Sequence, residues 1–177
     1  MNSEIKIVDN FLDENDLVKI HSCLKDMRWR IQKSHPNKEE LTFLFSEKTD
    51  DPFFNDYLYD KVIEQLDGDN YKLSRVYFNG QWNGREGTLH KDGCNFTALL
   101  YVSPYEYGWG GFTEIMTEPE PTLVYPIPNR LMIFPGNIPH KAYSLAYQKC
   151  PLRITLAFKI QINDISNDVG SVVGDWR

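Results

Sequence analysis

His90, Lys91 and Asp92 form a triplet whose first and third members are metal-ligand types. At the end of a strand, residues i and i+2 point to one face, so the His90 imidazole and the Asp92 carboxylate project together while Lys91 points away. His140 follows the apolar run RLMIF and the turn PGNIP, which puts a further imidazole at the end of a different strand. Two neutral imidazoles and one carboxylate on one side of a metal, with open positions opposite, suit ferrous iron and dioxygen chemistry. A plainer reading stays open on these fragments alone: Asp92 and Gly93 form a turn, and His140 is a hydrogen-bonded loop residue. The other two histidines read as structural or solvated, His21 beside the apolar stripe of a helix and His35 in the polar stretch KSHPNK.

A third element shifts the balance. In PLRITLAFKI the alternation puts Arg153, Thr155 and Ala157 on one face and Ile154, Leu156 and Phe158 on the other. A guanidinium on the inner face of an otherwise apolar strand is costly without an anion. A carboxylate bound in bidentate fashion would satisfy it, with the Thr155 hydroxyl as a second donor. Lys149 is a rival anion partner, but it sits in the polar turn AYQKCP, where a solvated lysine is the common case.

These groups need a scaffold. Asp13 is an expected N-cap for a helix with Leu17, Ile20, Leu24 and Met27 on one stripe and Glu14 and Asp16 at its positive end. A second helix is expected over 52–66, with Pro52 in the first turn, Phe54, Leu58, Val62 and Leu66 on one face, and Gly68 as its stop. From Leu73 the period changes to two, in the runs LSRVYF, GTLH, NFTALLYV, GGFTEIM, TLVYPI, RLMIF, HKAYSL and LRITLAFKI. Short strands separated by Gly, Pro and Asn clusters predict a mostly β, two-sheet antiparallel barrel or jelly roll, with the helices packed on one sheet. One domain over 1–177 is expected: helical support in 1–72, the barrel in 73–160 and a polar tail in 161–177.

With 177 residues, 41% of them apolar and 25% charged, the chain has the composition of an ordinary globular domain, which excludes disorder, collagen and coiled coil. It has no apolar run of membrane-spanning length, and acids stand in the first 16 residues where a signal peptide would be basic and then greasy. Cys23, Cys94 and Cys150 show no CxxC spacing and suggest neither a disulfide framework nor a thiolate zinc site. A soluble protein of the reducing cytoplasm is the expectation. The formal charge of −6 is uneven: 10 basic and 16 acidic residues in 1–72, against 8 basic and 6 acidic in 73–160. An acidic chain without a Lys/Arg-rich run is no duplex nucleic-acid binder, whereas its mildly basic middle could accept a small anion.

Taken in order, IVDNFLDENDLVKI, SRVYFNGQ, HKD, the diglycine of YGWGGFTEI, PGNIPH and LRITLAF resemble the 2-oxoglutarate- and Fe(II)-dependent dioxygenases, nearest their prolyl 4-hydroxylase-like branch, over most of the chain. The resemblance implies a double-stranded β-helix with iron on His90, Asp92 and His140, and the distal carboxylate of 2-oxoglutarate on Arg153. It implies dioxygen as second substrate, ascorbate as an accessory reductant, and co-substrate contacts from Tyr77 and Tyr101, with Thr155 beside them. It further implies hydroxylation of an unactivated C–H, foremost a peptidyl proline at C4 in a proline-containing peptide or protein, with release of succinate and CO₂. Trp82 and Arg85 in NGQWNGREG, and Tyr107 and Trp109 in SPYEYGWGG, are candidate substrate contacts, because aromatic rims suit proline rings and extended peptides. Collagen-type relatives place Lys where Arg153 stands, and demethylases of the superfamily carry a second Arg where this chain has Lys159. A non-catalytic binding domain on the same barrel is the alternative from another class. A cupin-type metalloenzyme ranks last, since cupins usually offer HxH and a later Glu.

Overall fold

A computed structural model describes residues 5–33, 42–146 and 149–163. Expectations for His35 and for most of the tail lie outside the described residues. The first elements in chain order are β1 (Lys6–Val8), α1 (Glu14–Lys25), β2 (Arg30–Lys33), β3 (Thr42–Glu47), a π-helical turn (Phe53–Tyr57) and α2 (Leu58–Ile63). There follow β4 (Tyr71–Gln81), β5 (Phe96–Tyr101), β6 (Thr113–Ile115), β7 (Thr122–Val124), β8 (Leu131–Pro135), β9 (His140–Ala142) and β10 (Arg153–Ile162). Ten strands make two antiparallel sheets among the described residues: a major one ordered β1-β8-β5-β10-β4-β3-β2 and a minor one ordered β7-β6-β9. This is the expected two-sheet barrel with helices on one sheet. None of the described helices is long and apolar enough to cross a membrane.

The alternation that organises the major sheet is visible on each of its central strands. Leu156, Phe158 and Ile160 of β10, Val76 and Phe78 of β4, Ala98 and Leu100 of β5, and Leu131 and Ile133 of β8 pack against Ile20, Phe54, Leu58 and Val62 of the helical layer. The opposite face supplies Tyr101, Met132 and Phe134, which join Ile115 and Val124 of the minor sheet in a smaller core. Register then fixes the neighbours on the inner face: Arg153 opposes Gln81, Thr155 lies between Asn79 and Tyr101, Ala157 between Tyr77 and Leu99, and Lys159 opposite Thr97. A bulge in the β4–β10 pairing falls between Lys159 and Ile160. Bulges bend a strand locally and re-aim side chains.

The helices follow their sequence signals with one change. Asp13 caps α1, its side chain accepting from the Asp16 amide at 3.0 Å. Asp16 is almost wholly buried and its carboxylate takes a 2.6 Å bond from Lys61, tying α1 to α2. The expected single helix over 52–66 instead begins as the π turn, in which the Leu58 amide bonds back to the Phe53 carbonyl. That wider turn lets Phe53 and Tyr57 stack at 5.6 Å outside while Phe54 is fully buried.

Two further differences matter for the site. The stretch expected to be helical support also contributes β1, β2 and β3, and β3 pairs with β4 to lengthen the major sheet. GTLH, expected as a strand, is reduced to a bridge between His90 and His140 plus a bond from the Gly87 amide to the Ala142 carbonyl. Leu89 is exposed between the two.

Candidate active site

His90 and His140 meet because their backbones pair: the His90 amide donates to the His140 carbonyl at 3.0 Å and the reverse bond is 2.9 Å. The Asp92 amide donates to the Gly136 carbonyl at 2.7 Å, which fastens the HKD segment to the PGN turn ahead of His140. Only glycine fits at 136, since a Cβ there would stand 2.3 Å from the Cys94 carbonyl oxygen. The outcome is a cluster in which one ligand atom from each of His90, Asp92 and His140 lies within 4.8 Å of the others.

The protonation of both rings follows from their partners. Nδ1 of His90 lies 2.7 Å from the Thr88 carbonyl, and Nδ1 of His140 lies 2.9 Å from the Ile138 carbonyl. A carbonyl only accepts, so each Nδ1 carries the hydrogen and each neutral ring turns a bare Nε2 inward. Those nitrogens stand 3.7 and 3.4 Å from the two Asp92 oxygens. Lone pairs facing a carboxylate at such distances are an arrangement that a cation among them would satisfy. Burial lowers the pKa of His90 and keeps its ring neutral. Burial by itself would raise that of Asp92. A hydrogen bond from His140 when its ring is protonated, the Lys159 ammonium and the Thr97 hydroxyl prevail and hold it well below the carboxylate range.

Around the cluster lies a cavity of 260 Å³, lined among others by Tyr77, Asn79, Gln81, Thr155 and Arg153. Arg153 is 3% exposed, and its three bonds go to neutral groups: Nε to the Gly111 carbonyl at 2.6 Å, Nη1 to Gln81 Oε1 at 2.8 Å and Nη2 to Thr113 Oγ1 at 2.8 Å. No carboxylate among the described residues pairs with it. Gly111, at φ +70°, permits this approach, because a Cβ would come within 2.7 Å of Leu145 Cδ2. A buried guanidinium with only neutral partners is a group that an anion could satisfy. His90, Asp92, His140, Arg153, Tyr77 and Thr155 thus share one cavity.

The remaining expected site residues fare differently. Tyr101 does not line the cavity; it is fully buried behind Arg153, its ring 5.3 Å from the guanidinium carbon and its hydroxyl bonded to Thr113 Oγ1 at 2.8 Å. Its place opposite Thr155 in the register puts its phenol in the inter-sheet core, where it acts through Thr113 and Arg153. Trp82, Arg85, Tyr107 and Trp109 are also absent from the cavity wall. Arg85 lies over the Trp82 ring at 5.5 Å, on the loop leading to the cavity residues Gly87 and Thr88. Tyr107 is 80% exposed and joins Tyr105, Trp109 and Tyr125 in an aromatic group. Lys149 is exposed in the turn before β10, away from the cavity wall.

Several cavity residues, Gln81, Thr113 and Lys159 among them, are not among the expected site residues. Lys159 is the most consequential, since its ammonium bonds Asp92 Oδ2 and lies 3.2 Å from Thr97 Oγ1. The signal was present in the alternation: Arg153, Thr155, Ala157 and Lys159 are one face of one strand.

No family profile and no curated protein matches the chain. Solved structures do. A 2-oxoglutarate-Fe(II) oxygenase family oxidoreductase from Burkholderia pseudomallei superposes with a TM-score of 0.74 at 10% identity, over 89% of this chain and 84% of that one. A prolyl hydroxylase from Trichoplax adhaerens, in complex with a peptide fragment of hypoxia inducible factor, gives 0.71 at 17% identity, over 91% and 84%. HygX from Streptomyces hygroscopicus, with nickel and 2-oxoglutarate bound, gives 0.70 at 11% identity, over 92% and 84%. The chain therefore carries the double-stranded β-helix fold of the 2-oxoglutarate-Fe(II) oxygenases.

Proposed function

We propose that this protein is an Fe(II)- and 2-oxoglutarate-dependent dioxygenase that hydroxylates an unactivated C–H bond, with a peptidyl proline at C4 as its substrate. The observation that carries the reading is one cavity holding both an inward-facing His90, Asp92 and His140 cluster and a buried guanidinium without an anion. The donor set fits ferrous iron: two bare Nε2 atoms and one carboxylate, with both rings oriented by backbone carbonyls. Bound there, ferrous iron with 2-oxoglutarate supplies the oxidant, one oxygen atom of O₂ going to the product and the other to succinate as CO₂ is lost.

The protein's own contribution is placement. Arg153 would hold the distal carboxylate of the co-substrate, exchanging neutral partners for a charge-assisted pair, and Thr155 stands beside it in the cavity. Tyr101 and Thr113 hold the guanidinium from behind. Tyr77 lines the cavity one register step further along β4. The cavity wall places the reacting atoms, and no general base from the chain is required. A proline-containing peptide is favoured by likeness to a prolyl hydroxylase that carries a peptide fragment. The loop bearing Trp82 and Arg85 reaches the mouth through Gly87 and Thr88 and is the nearest candidate for contacting it.

The test is incubation of the Fe(II) protein with 2-oxoglutarate and proline-containing peptides in air, followed by assay for succinate and for the mass gain of one oxygen atom on proline. Succinate with hydroxylated proline is the expected result. Turnover only of another substrate class removes the proline assignment, and absence of succinate with every substrate and of metal binding removes the dioxygenase reading.

A further inference from the structure

Lys159 belongs neither to the three metal ligands nor to the carboxylate cradle, yet it is in the cavity wall with its side chain 16% exposed. The bulge beside it and its register opposite Thr97 bring its ammonium to the same Asp92 oxygen that Thr97 bonds at 2.5 Å. Both donors therefore converge on Oδ2, which also stands 3.4 Å from His140 Nε2, while Oδ1 faces His90 Nε2 and has neither donor. Thr97 alone supplies Oδ2 with a neutral donor. What Lys159 adds is a full positive charge on the rim of a site shaped for a cation.

That charge is fixed in place. The ammonium is hydrogen-bonded to the Asp92 carboxylate and lies 3.2 Å from Thr97 Oγ1, which holds it at this place in the cavity wall. A fixed cation repels a metal ion in proportion to the ion's charge, so it weakens divalent binding and disfavours a trivalent ion more than a divalent one.

We infer that Lys159 is a positioning residue that turns Asp92 into a one-oxygen ligand and, through its charge, holds a bound iron in the ferrous state. The inference rests on the metal site proposed above. In its absence, Fe(II) loses one electron to dioxygen more readily, giving Fe(III) and superoxide outside any productive cycle. The lysine is thus a guard against idle oxidation, at the expense of metal affinity.

Two substitutions separate charge from position. Lys159→Gln keeps a donor toward Asp92 and removes the charge; Lys159→Arg keeps the charge. The readouts are the Kd for Mn(II) by calorimetry, and the growth of the ferric electron-spin-resonance signal when Fe(II)-loaded protein without co-substrate is exposed to air. The Gln variant is expected to bind Mn(II) about tenfold more tightly and to accumulate ferric iron about tenfold faster, while the Arg variant stays within about threefold of the parent. Lys159→Met, which removes charge and donor together, is expected to move both readouts the same way as Gln and serves if the Gln protein does not fold. A Gln or Met variant that binds Mn(II) no more tightly and oxidises no faster overturns the inference and leaves Lys159 a strut. A parent protein that binds no Mn(II) overturns the metal site itself, and is distinguished by failing before any variant is compared.

Discussion

Replacing Arg153 by Met should separate co-substrate binding from stability. The guanidinium is buried, and its three bonds go to a backbone carbonyl, an amide oxygen and a hydroxyl, all neutral. In the folded protein its desolvation is only partly offset, so an apolar side chain of similar volume relieves a buried charge while orphaning those acceptors at about 1–3 kcal/mol each. Replacing buried ionic groups by apolar ones is commonly neutral or stabilising by about 1–4 kcal/mol. Three orphaned acceptors outweigh that relief, and the variant should lose about 2–5 kcal/mol of unfolding free energy while still folding. Binding has no such compensation. Two charge-assisted bonds to a carboxylate, at about 1.5–3 kcal/mol each, amount to a loss of roughly 100-fold to 10,000-fold in affinity. Urea unfolding gives the first quantity, and calorimetry of 2-oxoglutarate into Mn(II)-loaded protein gives the second. A variant that does not fold, or one that keeps parental affinity for 2-oxoglutarate, would refute the assignment of Arg153 as the anion partner.

Three further outcomes are expected. Asp92→Ala removes the carboxylate that balances Lys159, and stranding that buried ammonium should lower stability by about 3–5 kcal/mol in urea titrations while abolishing Mn(II) binding in calorimetry. Gly111→Ala forces a Cβ against Leu145 in a left-handed backbone conformation; thermal unfolding should show a loss of about 1–3 kcal/mol, with weaker 2-oxoglutarate binding because the carbonyl that steadies Arg153 moves. Burial of the Tyr59 phenol pushes its pKa from 10.0 to about 12, so the unfolded chain releases this proton first and stability should fall as pH rises from 10.0 toward about 12. Its hydroxyl also has no hydrogen-bond partner among the described residues, so Tyr59→Phe should remove that slope and, in urea titrations at neutral pH, gain about 1 kcal/mol.

The chemistry was more legible than the strand count, for a physical reason. Arg153 stands out as a charged group in phase with an apolar alternation, a pattern that burial makes expensive unless a ligand repays it, whereas His90, Asp92 and His140 stand out by residue type and spacing at strand ends. The same rule extended two residues reaches Lys159, but its role depends on a bulge and on the path of the loop carrying Asp92, which no local pattern encodes. β2 and β3 were hidden because RIQK offers a single aliphatic residue, and TFLFSE stands apart from the regular strand series that begins at Leu73. Tyr101 illustrates the converse: the resemblance pointed to it as a co-substrate contact, but not to its depth behind Thr113. Aromatic content drew attention to Tyr107 and Trp109, whose rings pack against Tyr105 rather than into the cavity.

Convergence of the metal ligands and Arg153 on one bound assembly is the claim from which the rest follows, and it is tested most directly by diffraction from crystals soaked with Mn(II) and 2-oxoglutarate. The expected map has an anomalous peak bonded to Nε2 of His90, Nε2 of His140 and an Asp92 oxygen, with the distal carboxylate of the dicarboxylate paired to Arg153. Metal elsewhere, or a dicarboxylate that leaves Arg153 with its neutral partners, would contradict it.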